Sequence, residues 1–146
     1  MSLVRDFQLQ TPSFRAPRLA PIGFEVQIPP SDAVYEEFGT QRRVQGPDAI
    51  VELSKGWRKA FPDAKGTITK AIESADTVVL EIIREGTHTG ELAGAQGSIP
   101  ATRKRVRIPA VQVVSSKGDK VAETKHYFDQ MTMLAQLGVL PAPVTA

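Results

Sequence analysis

An α+β domain, with helices packed on one face of a curved antiparallel sheet, is the fold the sequence predicts. Three observations carry it. Apolar residues recur at helical spacing in Ile50, Leu53, Trp57 and Phe61. The period then changes to two after Gly66, where Val78, Leu80 and Ile82 alternate with Glu81 and Glu85. A glycine-rich stretch and two further strand-like segments follow, so helix comes first and consecutive strands come after.

The chain has 146 residues, 41% hydrophobic and 23% charged, which is the composition of one ordinary domain able to bury a single core without a staple. It contains no cysteine, which excludes disulfides, thiolate metal sites and a cysteine nucleophile. A net charge of +2, with no aromatics interleaved among the basic residues, gives no basis for nucleic-acid binding. No apolar run approaches the roughly 20 residues of a membrane span. Met1–Gln10 lacks the apolar core of a secretory signal, so a cytoplasmic location is expected by default.

Pro12, Pro17, Pro21, Pro29 and Pro30 fit neither helix nor central strand, so residues 1–43 are read as a Pro-rich arm and a short helix, partly packed on the body or on a partner subunit. Ser31 or Asp32 caps that helix over Ala33–Phe38, and Gly39 ends it. The body runs from 44 to 141, with a tail at 142–146. Pro47 stands at the first turn of a helix from about Asp48 to Phe61, stopped by Pro62. Gly66–Glu73 and Thr77–Glu85 read as strands joined across Ser74-Ala75-Asp76. Gly86–Thr102 is a loop, Arg103–Val114 and Lys120–Asp129 are strands, and Gln130–Leu137 is a helix capped by Asp129 and ended by Gly138.

The hairpin between the last two strands decides which residues share a face. Its glycine, Gly118, stands late in Ser115–Lys120 and predicts a three-residue turn with Gly118 left-handed. Ser115 then opposes Asp119, pairing Gln112 with Ala122, Ala110 with Thr124, Ile108 with His126 and Val106 with Phe128. That face is apolar or small apart from Gln112, Thr124 and His126, the pattern of a small-molecule pocket. The opposite face, with Arg105, Arg107, Tyr127 and Asp129, is read as solvated or interfacial, and with the arm it predicts a homodimer.

His126 is the candidate acid/base, because imidazole titrates near neutral pH. A histidine on an apolar face is, however, more often a hydrogen-bonded core residue than a catalyst. Gln112 is the candidate for orienting a carbonyl or water, and Asp129 is either a helix cap or a proton carrier. Trp57, Leu80, Ile82, His88, Val106, Ile108, Ala110, Phe128 and Tyr35 are the candidate substrate contacts. Only two histidines, with carboxylates not grouped at ligand spacing, predict no metal site. No phosphate-binding loop or serine elbow is present in the sequence.

Gly46-Pro47-Asp48-Ala49, Trp57-Arg58-Lys59-Ala60-Phe61-Pro62-Asp63, Gly86-Thr87-His88-Thr89-Gly90-Glu91-Leu92, Ile99-Pro100-Ala101-Thr102, His126-Tyr127-Phe128-Asp129 and Leu134-Ala135-Gln136-Leu137-Gly138 form an ordered series. Over about Val44–Pro141 the chain resembles the SnoaL-like polyketide cyclases of the nuclear-transport-factor-two-like superfamily. The resemblance implies a cone-shaped α+β barrel, a curved sheet wrapped around an apolar cavity, a homodimer, and neither metal nor redox cofactor. Relatives on this fold include ketosteroid isomerases, limonene epoxide hydrolases and scytalone dehydratases, so the fold names no single reaction. Many family members end their last strand Trp-Asp-Val-Phe-Asp. Laid onto Lys125–Asp129, that pattern puts His126 at the first aspartate and Gln112 where cyclases have a histidine. The resulting expectation is cofactor-free isomerisation, aldol cyclisation or hydration of a polyketide-, terpenoid- or steroid-like molecule. The rival reading is a noncatalytic ligand-binding or dimerisation module.

Overall fold

The structure, a computed structural model, describes residues 31–94, 97–117 and 120–140. Its order is β1 (Val34–Glu37), β2 (Arg42–Gln45), α1 (Pro47–Ala60), β3 (Lys65–Ser74), β4 (Thr77–Thr87), β5 (Leu92–Gly94), β6 (Gly97–Ile99), β7 (Arg105–Lys117), β8 (Lys120–Phe128) and α2 (Gln130–Leu137). Six strands form one mixed sheet in the order β2-β1-β8-β7-β4-β3, with β5 and β6 as a separate ribbon. Only the β1–β8 pairing in the large sheet is parallel. The architecture is α+β, as the sequence predicts.

Pro47 opens α1, and Gly46 before it takes φ 86°, a conformation glycine adopts without strain. Ile50, Leu53 and Ala60 bury one stripe of this helix, with Trp57 half-buried beside them. The backbone N–H groups of Thr89 and Gly90 donate to the Ala60 carbonyl, which ties the end of β4 to the end of α1. A Cβ on Gly90 would lie 1.9 Å from the Lys59 carbonyl oxygen, so only glycine fits that approach. Along β4, Val78, Leu80 and Ile82 face inward and pack with Ile68 and Val114. Ser74 pairs with Thr77 around the predicted turn. The predicted loop Gly86–Thr102 in fact contains β5 and β6, and Leu92 and Ile99 of that ribbon join the core around Phe61, Val106, Met133 and Leu137. Asp129 caps α2 by accepting from the Thr132 N–H at 3.1 Å, and Gly138 closes the helix in the left-handed conformation.

Three further expectations need correction. The short helix predicted over Ala33–Phe38 is the strand β1. Ala33, Tyr35 and Glu37 are buried while Val34 and Glu36 are half-exposed, a period of two, and β1 gains backbone partners on both sides from β2 and β8. Tertiary pairing thereby overrides the local cap and stop signals. Gly39 ends no helix; it stands where a Cβ would come 2.7 Å from the Phe128 ring.

The predicted body boundary at residue 44 falls inside β2, so the β1–β2 hairpin belongs to the sheet of the body. The arm before residue 31 and the tail 142–146 lie outside the described residues.

The β7–β8 register also differs from the prediction. Lys117 pairs with Lys120, leaving two residues between the strands rather than three, and the conformation of Gly118 lies outside the described residues. A two-residue connection alone would turn Gln112 and His126 to opposite faces. An irregularity between Ser115 and Ser116, opposite Glu123 and Val121, leaves Ala122 as an extra residue and restores the parity. Gln112 therefore faces His126, Val114 faces Thr124 and Ala110 faces Phe128. Each pair is displaced by four residues from the prediction. An even displacement keeps every side chain on its predicted face.

A polar network beneath an aromatic pocket

The inner residues of β1, β4, β7 and β8, together with α1 and α2, enclose a pocket lined by Tyr35, Trp57, Phe61, Ala64, Arg84, Glu85, Gly86, Val106, Ile108, His126, Phe128 and Met133. Aromatic contacts shape it. Trp57 meets Phe128 edge-on at 5.9 Å between ring centroids, and His126 lies 5.1 Å from Phe128.

At its floor, parallel pairing of β1 with β8 puts Tyr35 beside Thr124 and Glu37 beside His126. The Tyr35 hydroxyl lies 2.7 Å from His126 Nδ1 and 3.2 Å from Glu37 Oε2. Glu37 is wholly buried and saturated with donors: Trp57 Nε1 at 2.9 Å, the Arg42 guanidinium at 2.8 Å, and the Thr40 hydroxyl. Arg42 also stands over the Trp57 ring at 5.6 Å.

This arrangement assigns the protons. A carboxylate ion-paired to arginine only accepts, so the single Tyr35 proton goes to Glu37. His126 then donates Nδ1–H to the Tyr35 oxygen and keeps its Nε2 lone pair. Nε2 is buried and has no hydrogen-bond partner among the described residues. Burial, and secondarily the Arg84 cation, hold the His126 pKa well below 6.5, so the ring is a neutral base at physiological pH. Burial and the adjacent Glu37 carboxylate push Tyr35 well above 10, so it stays a phenol. Among the described residues no group of three or more His, Cys, Asp or Glu could hold a metal ion, and no helix is long and apolar enough to cross a membrane.

Of the sequence candidates, Tyr35, Trp57, Val106, Ile108, His126 and Phe128 line the pocket. Gln112 and Ala110 share the inner face with His126 but are not on the pocket wall, and Leu80 and Ile82 pack in the core beyond it. His88 is fully buried off the pocket, with Nδ1 3.0 Å from the Thr102 hydroxyl and 3.2 Å from the Thr102 N–H. It pins the two ends of the 88–104 segment, which its backbone bonds to Arg103 and Lys104 also join. Asp129 is exposed and off the pocket, its two carboxylate oxygens taken by the Thr132 N–H and hydroxyl; the structure assigns it to capping.

Glu37 and Arg84 are the polar groups that sequence reasoning missed. Both were within reach of the alternation rule. Extending the Val78, Leu80, Ile82 row by two reaches Arg84, opposite Ile108, and reading Ala33, Tyr35, Glu37 at period two reaches Glu37.

The sequence profile of the SnoaL-like polyketide cyclases matches residues 30–137. The chain belongs to this family. Solved structures agree on the fold of this SnoaL-like domain. A protein described as a SnoaL-like polyketide cyclase from Jannaschia sp. CCS1 superposes with a TM-score of 0.69 at 16% identity, over 78% of this chain and 76% of that one. A protein of ketosteroid isomerase-like fold from Catenulispora acidiphila, solved with trimethylamine, gives 0.67 at 17% identity over 94% and 93%. AclR from Streptomyces galilaeus, described as a hydroxylase, gives 0.67 at 24% over 97% and 83%. At such identities the likeness speaks for fold alone. Among curated proteins none is similar enough to count as a relative.

Proposed function

We propose that this SnoaL-like domain catalyses cofactor-free proton transfer on a small, largely apolar ring compound held in the aromatic pocket, leading to isomerisation, aldol cyclisation or hydration. Membership of a cyclase family makes chemistry of this kind the expected class. One observation carries the reading: His126, which lines the pocket, has Nδ1 fixed by Tyr35 at 2.7 Å while its buried Nε2 has no hydrogen-bond partner among the described residues. Nε2 removes a proton from carbon beside a substrate carbonyl. As the ring becomes imidazolium, the Tyr35–Glu37 chain stabilises the new charge through Nδ1–H. Arg84 on the same wall offsets the negative charge developing on the substrate oxygen. Trp57, Phe61, Val106, Ile108, Phe128 and Met133 supply apolar cover for a ring.

Deuterium incorporation into the α-positions of 2-tetralone, followed by NMR in heavy water, tests the chemistry without a known substrate. The wild-type protein is expected to exceed the buffer rate, and His126→Asn to lower that excess by about 10²–10⁴. A wild-type rate equal to buffer would leave the noncatalytic binding module in its place.

The assembly proposed is a two-fold homodimer through the outer face of the sheet. There Phe38 and Tyr127 stack at 4.4 Å with both rings exposed, and Ile72 is 49% exposed. Sedimentation at micromolar concentration is expected to give a dimer, and Tyr127→Lys a monomer; a wild-type monomer rejects it.

A further inference from the structure

We infer that Arg42, which lies off the pocket wall, is a positioning residue for His126. Through Glu37 and Tyr35 its fixed charge decides which ring nitrogen carries the proton, and so whether His126 acts as base or acid. The inference deepens the reading of His126 as the base and rests on it. One row of the sheet carries the chain. Arg42 of β2 stands directly opposite Glu37 of β1, and on its other side Glu37 stands opposite His126 of β8. Gln41, at φ 57°, takes a left-handed conformation uncommon outside glycine and completes the turn that sets Arg42 against Glu37. The Arg42 side chain is 31% exposed and that of Glu37 not at all, so the cation reaches the network from the solvent side.

Every donor in the network points toward Glu37. Its Oε1 accepts from Arg42 Nη2 at 2.8 Å and from the Thr40 hydroxyl, while Arg42 Nε donates to the same Thr40 oxygen at 3.0 Å. Its Oε2 accepts from Trp57 Nε1 at 2.9 Å and from the Tyr35 hydroxyl at 3.2 Å, which leaves the Tyr35 oxygen to accept from His126 Nδ1 at 2.7 Å. Trp57 and Thr40 are neutral donors and serve an ionised or a protonated carboxyl alike. Among these hydrogen-bond partners of Glu37, only Arg42 carries a charge. Without it the buried carboxylate takes one proton from solvent, because an uncompensated buried charge costs more than its neutralisation. The chain then reverses. Glu37 donates to the Tyr35 oxygen, Tyr35 donates to His126 Nδ1, and the His126 proton sits on Nε2. The network gains one proton in all, held by Glu37, and Tyr35 and His126 keep one each. Nε2 becomes a donor, so it no longer removes a proton from a substrate carbon. The buried cation Arg84 also lies within electrostatic reach of Glu37, and the test separates its influence from that of Arg42.

Long-range ¹H–¹⁵N correlation of the labelled full chain reads the proton position without any substrate, and amide spectra report whether each variant is folded. Arg42→Met and Arg42→Gln are expected to move the His126 proton from Nδ1 to Nε2 and to lower the excess α-exchange of 2-tetralone at least about tenfold. Arg42→Lys, which restores the charge without the guanidinium fork, is expected to return both toward wild type. An ion pair serving stability alone moves no proton on His126. A folded neutral variant with the proton still on Nδ1 would overturn the inference, assign the ionisation of Glu37 to Arg84, and leave His126 as the base. Loss of the fold in both neutral variants would assign Arg42 to stability and overturn it equally. A wild-type protein without exchange activity, in which the neutral variants still move the proton, would remove the base and keep Arg42 in control of the proton position.

Discussion

Tyr35→Phe removes one oxygen from the centre of the polar network and leaves the ring in place, which makes it the most informative single substitution. Tyr35 is 1% exposed, so no solvent replaces the lost hydroxyl. The two partners respond unequally. Glu37 retains Trp57, Arg42 and Thr40 as donors and stays satisfied. His126 Nδ1 loses its hydrogen-bond partner inside a site that is 5% exposed. One newly orphaned buried group corresponds to about 1–3 kcal/mol of lost stability. The variant should therefore unfold at lower urea concentration with an unchanged m-value. Spectroscopy gives the sharper signature. Long-range ¹H–¹⁵N correlation of His126 in the wild-type protein is expected to show the proton on Nδ1, and the Phe variant is expected to lose that fixed pattern. A wild-type spectrum with the proton on Nε2, or a variant within about 0.5 kcal/mol of wild type with the same spectrum, would refute the proton assignment derived from Glu37.

Two further outcomes are expected. Because burial holds His126 and His88 below 6.5, the unfolded chain binds protons that the folded chain does not as pH falls through that value. Stability should be full above about pH 7, decline as pH drops below 6.5, and decline less in His126→Asn, as read from urea midpoints at pH 7.5 and 5. Asp129→Ala should lower the melting temperature through loss of the α2 cap and leave ring-compound affinity and His126 shifts unchanged; a lost exchange activity at unchanged stability would return Asp129 to the chemistry.

Local pattern alone determined much of this protein. Pro47 with the Ile50, Leu53, Trp57 stripe defined α1, the Val78, Leu80, Ile82 alternation defined β4, and Asp129 with Gly138 bounded α2, because caps and periodicity act within a few residues. The shared inner face of Gln112 and His126 was legible too, although by a register in which the predicted turn and the observed two-residue connection with its bulge differ by an even number. Tertiary structure decided the rest. Ser31 to Gly39 carries helix-like punctuation, and it is pairing with β2 on one side and with β8, some 90 residues away, on the other that makes it a strand. The second pairing brings Tyr35 and Glu37 under His126, which no local rule reaches. Alternation puts Glu37 on the inner face, but a buried carboxylate is costly; it is tolerable here because Tyr35, Trp57, Thr40 and Arg42 converge on it from separate positions in the chain. The proton position on His126 depends on that convergence, so the chemistry of the site is a property of the assembled sheet and not of any segment within it.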